Sequence, residues 1–155
     1  MNCFFDTSAL AKLFQEEDGT AFVENIVNDP NNKIWVLDLA RIEFLSSLYR
    51  RYRQKDISED ELDVAICAFN EQILEFNQEF LGPAVLYEAE QLMKVHGKTH
   101  GLRSLDALQL GACSMLRTTD WFFVCSDKKL CGIARLCKMN VLNPLESGDQ
   151  GPVYQ

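Results

Sequence analysis

The chain predicts an α/β fold: a short central parallel sheet with helices on both faces. The first sign is a pair of wholly apolar runs too brief for a helix, Cys3-Phe4-Phe5 and Trp121-Phe122-Phe123-Val124-Cys125. The second is what lies between them, longer stretches whose apolar residues recur every three or four positions. The third is that both runs lead into an Asp, Asp6 and Asp127, with a helix start just beyond, as at the junctions of a parallel sheet.

Cys3-Phe4-Phe5 reads as a strand buried on both faces. Thr7 and Ser8 offer hydroxyls to cap a short helix from Ala9 to about Phe14. Thr20 caps a second helix, with Phe22, Val23, Ile26 and Val27 along one side, and Asp29-Pro30 stops it. Lys33-Ile34-Trp35-Val36-Leu37 is the second strand. Asp38 reads as the N-cap of a long helix through Leu39, Ile42, Leu45, Tyr49 and Tyr52, with Glu43 beside that stripe. The helix ends in the only strongly basic patch, Arg50-Arg51-Tyr52-Arg53-Gln54-Lys55, either a solvated surface favoured by the helix C-terminus or an RNA-facing edge.

Ser58-Glu59-Asp60-Glu61 fits a capping box, and the helix it opens carries Leu62, Ile66, Phe69, Ile73 and Phe76 as core or subunit contact. Gly82-Pro83 breaks the chain before a helix from about Val85 to Val95 that stops at His96-Gly97. Ser104 caps the next helix, whose apolar side is Leu105, Leu108, Ala112 and Met115. Asp106 falls in its first turn, where the helix dipole favours an ionised carboxylate by about 0.3–1 kcal/mol. The run Trp121–Cys125 is the clearest buried strand; a helix from Lys128 to Lys138 and a short strand at Val141-Leu142 follow. Residues 1–147 are expected to form one domain, and 148–155, with two Gly and one Pro, a flexible tail.

At 155 residues one core suffices, and 47% hydrophobic with 25% charged residues is ordinary for a soluble globular chain. No apolar run approaches the roughly 20 residues that span a bilayer, and no export signal precedes the first strand, so a cytoplasmic protein is expected. The six cysteines form no Cys-x-x-Cys pair and read as reduced thiols, mostly of the core. His96 and His100 have the spacing of a helical metal pair, but Gly97 and Gly101 are expected to interrupt such a helix, which sets zinc aside. A net charge of −8 argues against broad electrostatic binding of nucleic acid, though not against an enzyme whose carboxylates are neutralised by cations.

Parallel strands share a direction, so Asp6 and Asp127 leave the sheet at one edge, and Asp106 can reach it from a helix start. Crowded carboxylates repel, and burial raises their pKa values. A hard divalent cation, Mg²⁺ or Mn²⁺, removes the conflict. It also polarises a phosphodiester, activates water and stabilises the leaving oxygen. Ligation by acids alone, without His or Cys, points to phosphate chemistry.

Phe5-Asp6-Thr7-Ser8-Ala9-Leu10, Ile42-Glu43-Phe44-Leu45-Ser46-Ser47-Leu48, Leu102-Arg103-Ser104-Leu105-Asp106-Ala107-Leu108-Gln109-Leu110 and Ser126-Asp127-Lys128-Lys129-Leu130 occur in the order of the PIN domain, and from residue 2 to about 143 the chain resembles VapC-type toxins of bacterial toxin–antitoxin pairs. The resemblance implies a PIN-like three-layer α/β/α sandwich and a metal-dependent ribonuclease. Asp6, Glu43, Asp106 and Asp127 would be its catalytic, metal-binding acids. Asp6 and Asp106 would be the principal Mg²⁺ (or Mn²⁺) ligands. Glu43 and Asp127 would complete a second metal position or orient metal-bound water, and Thr7 or Ser8 would hydrogen-bond within the site. The resemblance further implies an RNA substrate, a homodimer, and a VapB-like antitoxin whose basic residues suit an acidic chain.

The family often has Ser or Thr two residues before the fourth acid; here Cys125 stands there and Ser126 is adjacent. Arg41 and Arg103, near the acids in sequence, suit either RNA phosphate or ion pairing. A haloacid-dehalogenase-type phosphatase would need a second acid at the place of Ser8, and a receiver domain an early acidic pair that is absent. An inactive PIN-like protein- or RNA-binding module is the rival of another class.

Overall fold

A computed structural model describes residues 1–146, so the expected tail lies outside the described residues. The elements run β1 (Asn2–Phe5), α1 (Thr7–Leu10), α2 (Thr20–Asn28), β2 (Lys33–Leu37), α3 (Ala40–Arg53), α4 (Glu59–Gln72), β3 (Asn77–Glu79), α5 (Pro83–His100), α6 (Ser104–Leu116), β4 (Trp121–Val124), α7 (Lys128–Leu136) and β5 (Asn140–Leu142). The strands form one parallel sheet in the order β3-β2-β1-β4-β5, with Cys3 opposite Ile34 and Phe4 opposite both Trp35 and Phe123.

Pleating divides the core in two. On one face Cys3, Phe5, Ile34 and Val36 meet side chains of α1 to α4, including Phe44 and Phe69, whose rings stack 4.1 Å apart. On the other, Phe4, Leu37 and Phe123 meet α5, α6 and α7. The result is the expected three-layer α/β/α sandwich. The chain adds β2 and β3 on one side of β1, then crosses to add β4 and β5 on the other. Strand order therefore reverses between β1 and β4. In open α/β sheets a crevice forms beyond the carboxyl ends of the strands at such a point.

Several local expectations are corrected. Asp6, not Thr7 or Ser8, caps the first helix, which starts at Thr7 and tightens into a 3₁₀ turn at Ala11–Leu13. Gly19 at φ +89° precedes α2, and the Thr20 hydroxyl instead bonds the carbonyls of Lys12 and Gln15. Leu39 occupies the N-cap of α3, while the Asp38 carboxylate accepts from the amide of Leu81. The buried stripe of α3 is Ala40, Phe44 and Leu48; Ile42, Tyr49 and Tyr52 are exposed. Arg103, not Ser104, is the N-cap of α6, and Leu105 and Met115 are exposed where Ala107, Leu110 and Cys113 are buried. α7 stops at Leu136, before Lys138 at φ +58°.

β3 was not expected. Its residues are polar because it is an edge strand paired only with β2, and the Asn77 amide fastens it to the carbonyl of Ile34. α5 continues through Gly97 and stops only at Gly101, at φ +63°. The premise against a histidine pair therefore fails: Nδ1 of His96 and His100 lie 3.1 Å apart, with Cys137 Sγ 3.4 Å from His96 Nε2. The capping box at Ser58 and Glu61 forms as expected. All six cysteines are free, and Cys67 is exposed. Among the described residues no helix is long and apolar enough to cross a membrane.

Candidate active site

Asp6 follows the central strand β1, and its amide donates to the carbonyl of Val124 on β4. Its carboxylate turns back to accept from the Ser8 amide at 3.0 Å, which starts α1 and fixes the side chain at the sheet edge. Asp127 does the same beyond β4, accepting from the Leu130 amide at 2.9 Å as the N-cap of α7. The two strand-to-helix acids thus border the crevice where strand order reverses. Asp106 reaches it from the first turn of α6 and Glu43 from the first turn of α3. All four line one groove of about 770 Å³, with Thr7 and Ser8 between them.

The environments differ. Asp6 is 6% exposed, and burial holds its carboxyl above the usual range; the Ser8 hydrogen bonds offset part of this and the nearby Asp106 adds to it. Burial likewise raises Glu43, against hydrogen bonds from Thr7 and Gln109 and with added repulsion from Asp6 and Asp106. Thr7 Oγ1 donates to Glu43 Oε2 at 2.7 Å, and Gln109 Nε2 donates to the same oxygen at 2.6 Å. Arg103 spans the other pair, its Nε 3.0 Å from Asp106 Oδ2 and a terminal nitrogen 3.3 Å from Asp127 Oδ2, and these contacts raise the guanidinium pKa.

One contributor, Gln109, was not expected from the sequence. Gln109 is 1% exposed inside the apolar run of α6, and buries its amide to hold Glu43. Its signal was a lone amide one helical turn after Asp106, on the same side of the helix. Cys125, just beyond β4, places its thiol 3.7 Å from Asp6 Oδ2 and from Ser8 Oγ. The position where a hydroxyl was in doubt therefore carries a thiol, and contact with Cys131 together with burial pushes its pKa up. Ser126 instead gives its amide to Ser8 Oγ, and its own buried hydroxyl has no hydrogen-bond partner among the described residues. Arg50, Arg51 and Arg53 line the groove; Arg41 does not.

The donor set fits a hard divalent cation. It is all carboxylate oxygen, and like charges crowd around the buried Asp6 and the half-buried Glu43. As the side chains stand, no three of the described His, Cys, Asp and Glu residues are arranged to hold a metal ion. Arg103 supplies the positive charge between Asp106 and Asp127.

The model of the PIN domain matches residues 3–136. The chain belongs to the PIN domain family. Solved structures carry the same fold over nearly the whole PIN domain. FitAcB from Neisseria gonorrhoeae aligns with a TM-score of 0.67 at 14% identity, over 94% of this chain and 99% of that one. VapBC-1 from nontypeable Haemophilus influenzae aligns with a TM-score of 0.64 at 13% identity, over 93% and 98%. VapC20 of Mycobacterium tuberculosis, described as a sarcin-ricin loop cleaving toxin, aligns with a TM-score of 0.64 at 14% identity, over 84% and 93%. Among curated proteins none matches this PIN domain in sequence.

Proposed function

We propose that the groove is the active site of a ribonuclease that hydrolyses RNA phosphodiester bonds with Mg²⁺ or Mn²⁺. One observation carries this reading: Asp6, Glu43, Asp106 and Asp127, up to 121 residues apart, line a single groove at the edge where strand order reverses. Membership of the PIN domain family supports it, as does the likeness to a protein described as a sarcin-ricin loop cleaving toxin. Likeness to VapBC and FitAB complexes supports the further reading that this is the toxin of a type II toxin–antitoxin pair. It would act as a cytoplasmic homodimer held in check by a VapB-like antitoxin with basic residues.

When bound, the cation offsets charge on the scissile phosphate and lowers the pKa of an attacking water. Asp6 and Asp106 would hold it, with Glu43 and Asp127 completing the acidic set. The hydrogen bonds recorded for Asp6 and Glu43 each fall on one oxygen, Oδ2 and Oε2, so each carboxylate keeps a second oxygen for a ligand. Thr7 and Gln109 orient Glu43, and the Ser8 amide orients Asp6. Arg103, with a side chain 66% exposed, is free to leave the acids for a phosphate oxygen.

The test is cleavage of RNA with and without Mg²⁺, beside Asp6→Asn. Cleavage should need the metal and fall by at least about a hundredfold in the variant. Equal activity from the variant would remove the reading. An inactive binding module is the second reading, favoured by Arg103 already pairing two of the acids. Absence of metal-dependent cleavage, with RNA or a protein still bound, would select it.

A further inference from the structure

We propose that His96 and His100 form a binding site for a late first-row divalent cation, Zn²⁺ in the first place, with Cys137 as the residue that positions His96. None of the three lines the acidic groove, so the site is separate from it. The chain has only these two histidines. Their four-residue spacing sets one above the other in the last turns of α5, because the helix runs unbroken through Gly97 to His100. Their Nδ1 atoms lie 3.1 Å apart and their ring centroids 5.1 Å. Two imidazoles bonded to one tetrahedral ion at about 2.0–2.1 Å hold their nitrogens roughly 3.3 Å apart. The rings therefore stand at chelating distance.

The surroundings prepare both rings. His96 is 9% exposed, and its outer nitrogen, Nε2, lies 3.4 Å from Cys137 Sγ at the end of α7. A metal-ligating imidazole gives its other N–H to a fixed acceptor, which sets the tautomer and the plane of the ring. Cys137 stands where that acceptor belongs. Burial pushes its thiol pKa up, which keeps the sulfur a hydrogen-bond partner rather than a ligand. His100 is exposed, so water fills the remaining coordination positions, in keeping with the lack of a third protein donor among the described residues.

The C-terminus of an 18-residue helix carries partial negative charge, which favours a cation beside its last turn. The Lys129 ammonium already uses that end, 2.8 Å from the Gly101 carbonyl oxygen. Neutral nitrogen donors then choose the metal. Imidazole suits Zn, Cu and Ni, whereas Mg and Ca prefer oxygen, so this donor set and the carboxylates of the groove select different ions.

The experiment titrates Zn²⁺ into the full-length, tag-free, reduced protein in excess Mg²⁺, followed by calorimetry and by nitrogen NMR of the two histidine rings. Both Nδ1 resonances should move to the metal-bound range while both Nε2 atoms stay protonated. His100→Gln, at an exposed position that the fold does not need, should weaken Zn²⁺ binding at least about tenfold. Cys137→Val should weaken it about tenfold, and Cys137→Ser, which keeps an acceptor for His96, should restore it to within about threefold of wild type. Cys67→Ser, which removes the exposed thiol, should leave it unchanged.

No binding at millimolar Zn²⁺, or an affinity that His100→Gln does not change, would overturn the site. Loss of binding in Asp6→Asn with both histidines intact would do the same, by handing the ion to the groove. A sulfur-to-metal charge-transfer band on loading Co²⁺ would overturn the role given to Cys137 by making it a ligand, as would a Cys137→Ser variant as weak as Cys137→Val. Whether the groove cleaves RNA has no bearing on any of these results.

Discussion

The Asp6 and Glu43 carboxylates sit where an unliganded protein is least comfortable with them. Both titrate higher in the folded chain than in an unfolded one, chiefly because of burial. Asp6→Asn keeps an N-cap acceptor for the Ser8 amide and removes a buried charge. The variant should therefore melt higher than wild type in EDTA at pH 7.5, by about 2–4 °C, the shift that roughly 1 kcal/mol makes at this size. A lower melting temperature would show that the charge is not a burden. Gln109→Leu removes a hydrogen bond that favours ionised Glu43, so the Glu43 pKa should rise further. Activity should fall about tenfold, and the acidic limb of its pH profile should move to higher pH; a uniform loss with an unmoved limb would make Gln109 merely structural. The acids were legible because each stands at a strand or helix end flanked by apolar residues. Gln109 was not, because nothing in a line of residues says which buried amide faces a carboxylate brought from a distant helix.

Helix glycines show how much the surroundings decide at the scale of elements. Gly97, inside α5, would meet only Met93 Cε at 3.5 Å if given a Cβ. Gly97→Ala should thus raise stability by about 0.5–1 kcal/mol through helix propensity. Gly111, in α6, lies against the backbone of α5, with Ala89 N at 3.0 Å and Val85 O at 3.1 Å from the added atom. Gly111→Ala should cost about 1–3 kcal/mol by forcing the helices apart. Thermal melts of the two variants moving the same way would refute this account. The same contrast explains what was readable. β1, β2 and β4 announce themselves as apolar runs because they are inner strands, while β3, at the edge, shows no apolar residue at all. The stripe on α3 was misplaced because Ile42 serves the groove rim instead of the core, and apolarity alone does not separate the two.

Over the whole molecule, the strand order makes the acids neighbours. The reversal between β1 and β4 puts Asp6 and Asp127 beyond the ends of adjacent strands, and α3 and α6 bring Glu43 and Asp106 from opposite faces of the sheet. The metal-free fold therefore holds a pH-dependent strain. A carboxyl whose folded pKa is raised gives stability that is complete below its unfolded pKa and lost as pH rises through the folded value. For Asp6 and Glu43 that window opens at the ordinary carboxylate range and extends upward. A divalent cation that binds only the folded, ionised site acts in the opposite sense. At a hundred times its dissociation constant it adds about 2.7 kcal/mol, roughly 5–10 °C in a chain of this size. Melting curves with and without Mn²⁺ should therefore coincide near pH 4 and separate by that amount near pH 7.5, with the separation abolished in Asp6→Asn. A separation that is independent of pH, or that survives in the variant, would place the ion elsewhere on this acidic surface and leave the groove without a cation of its own.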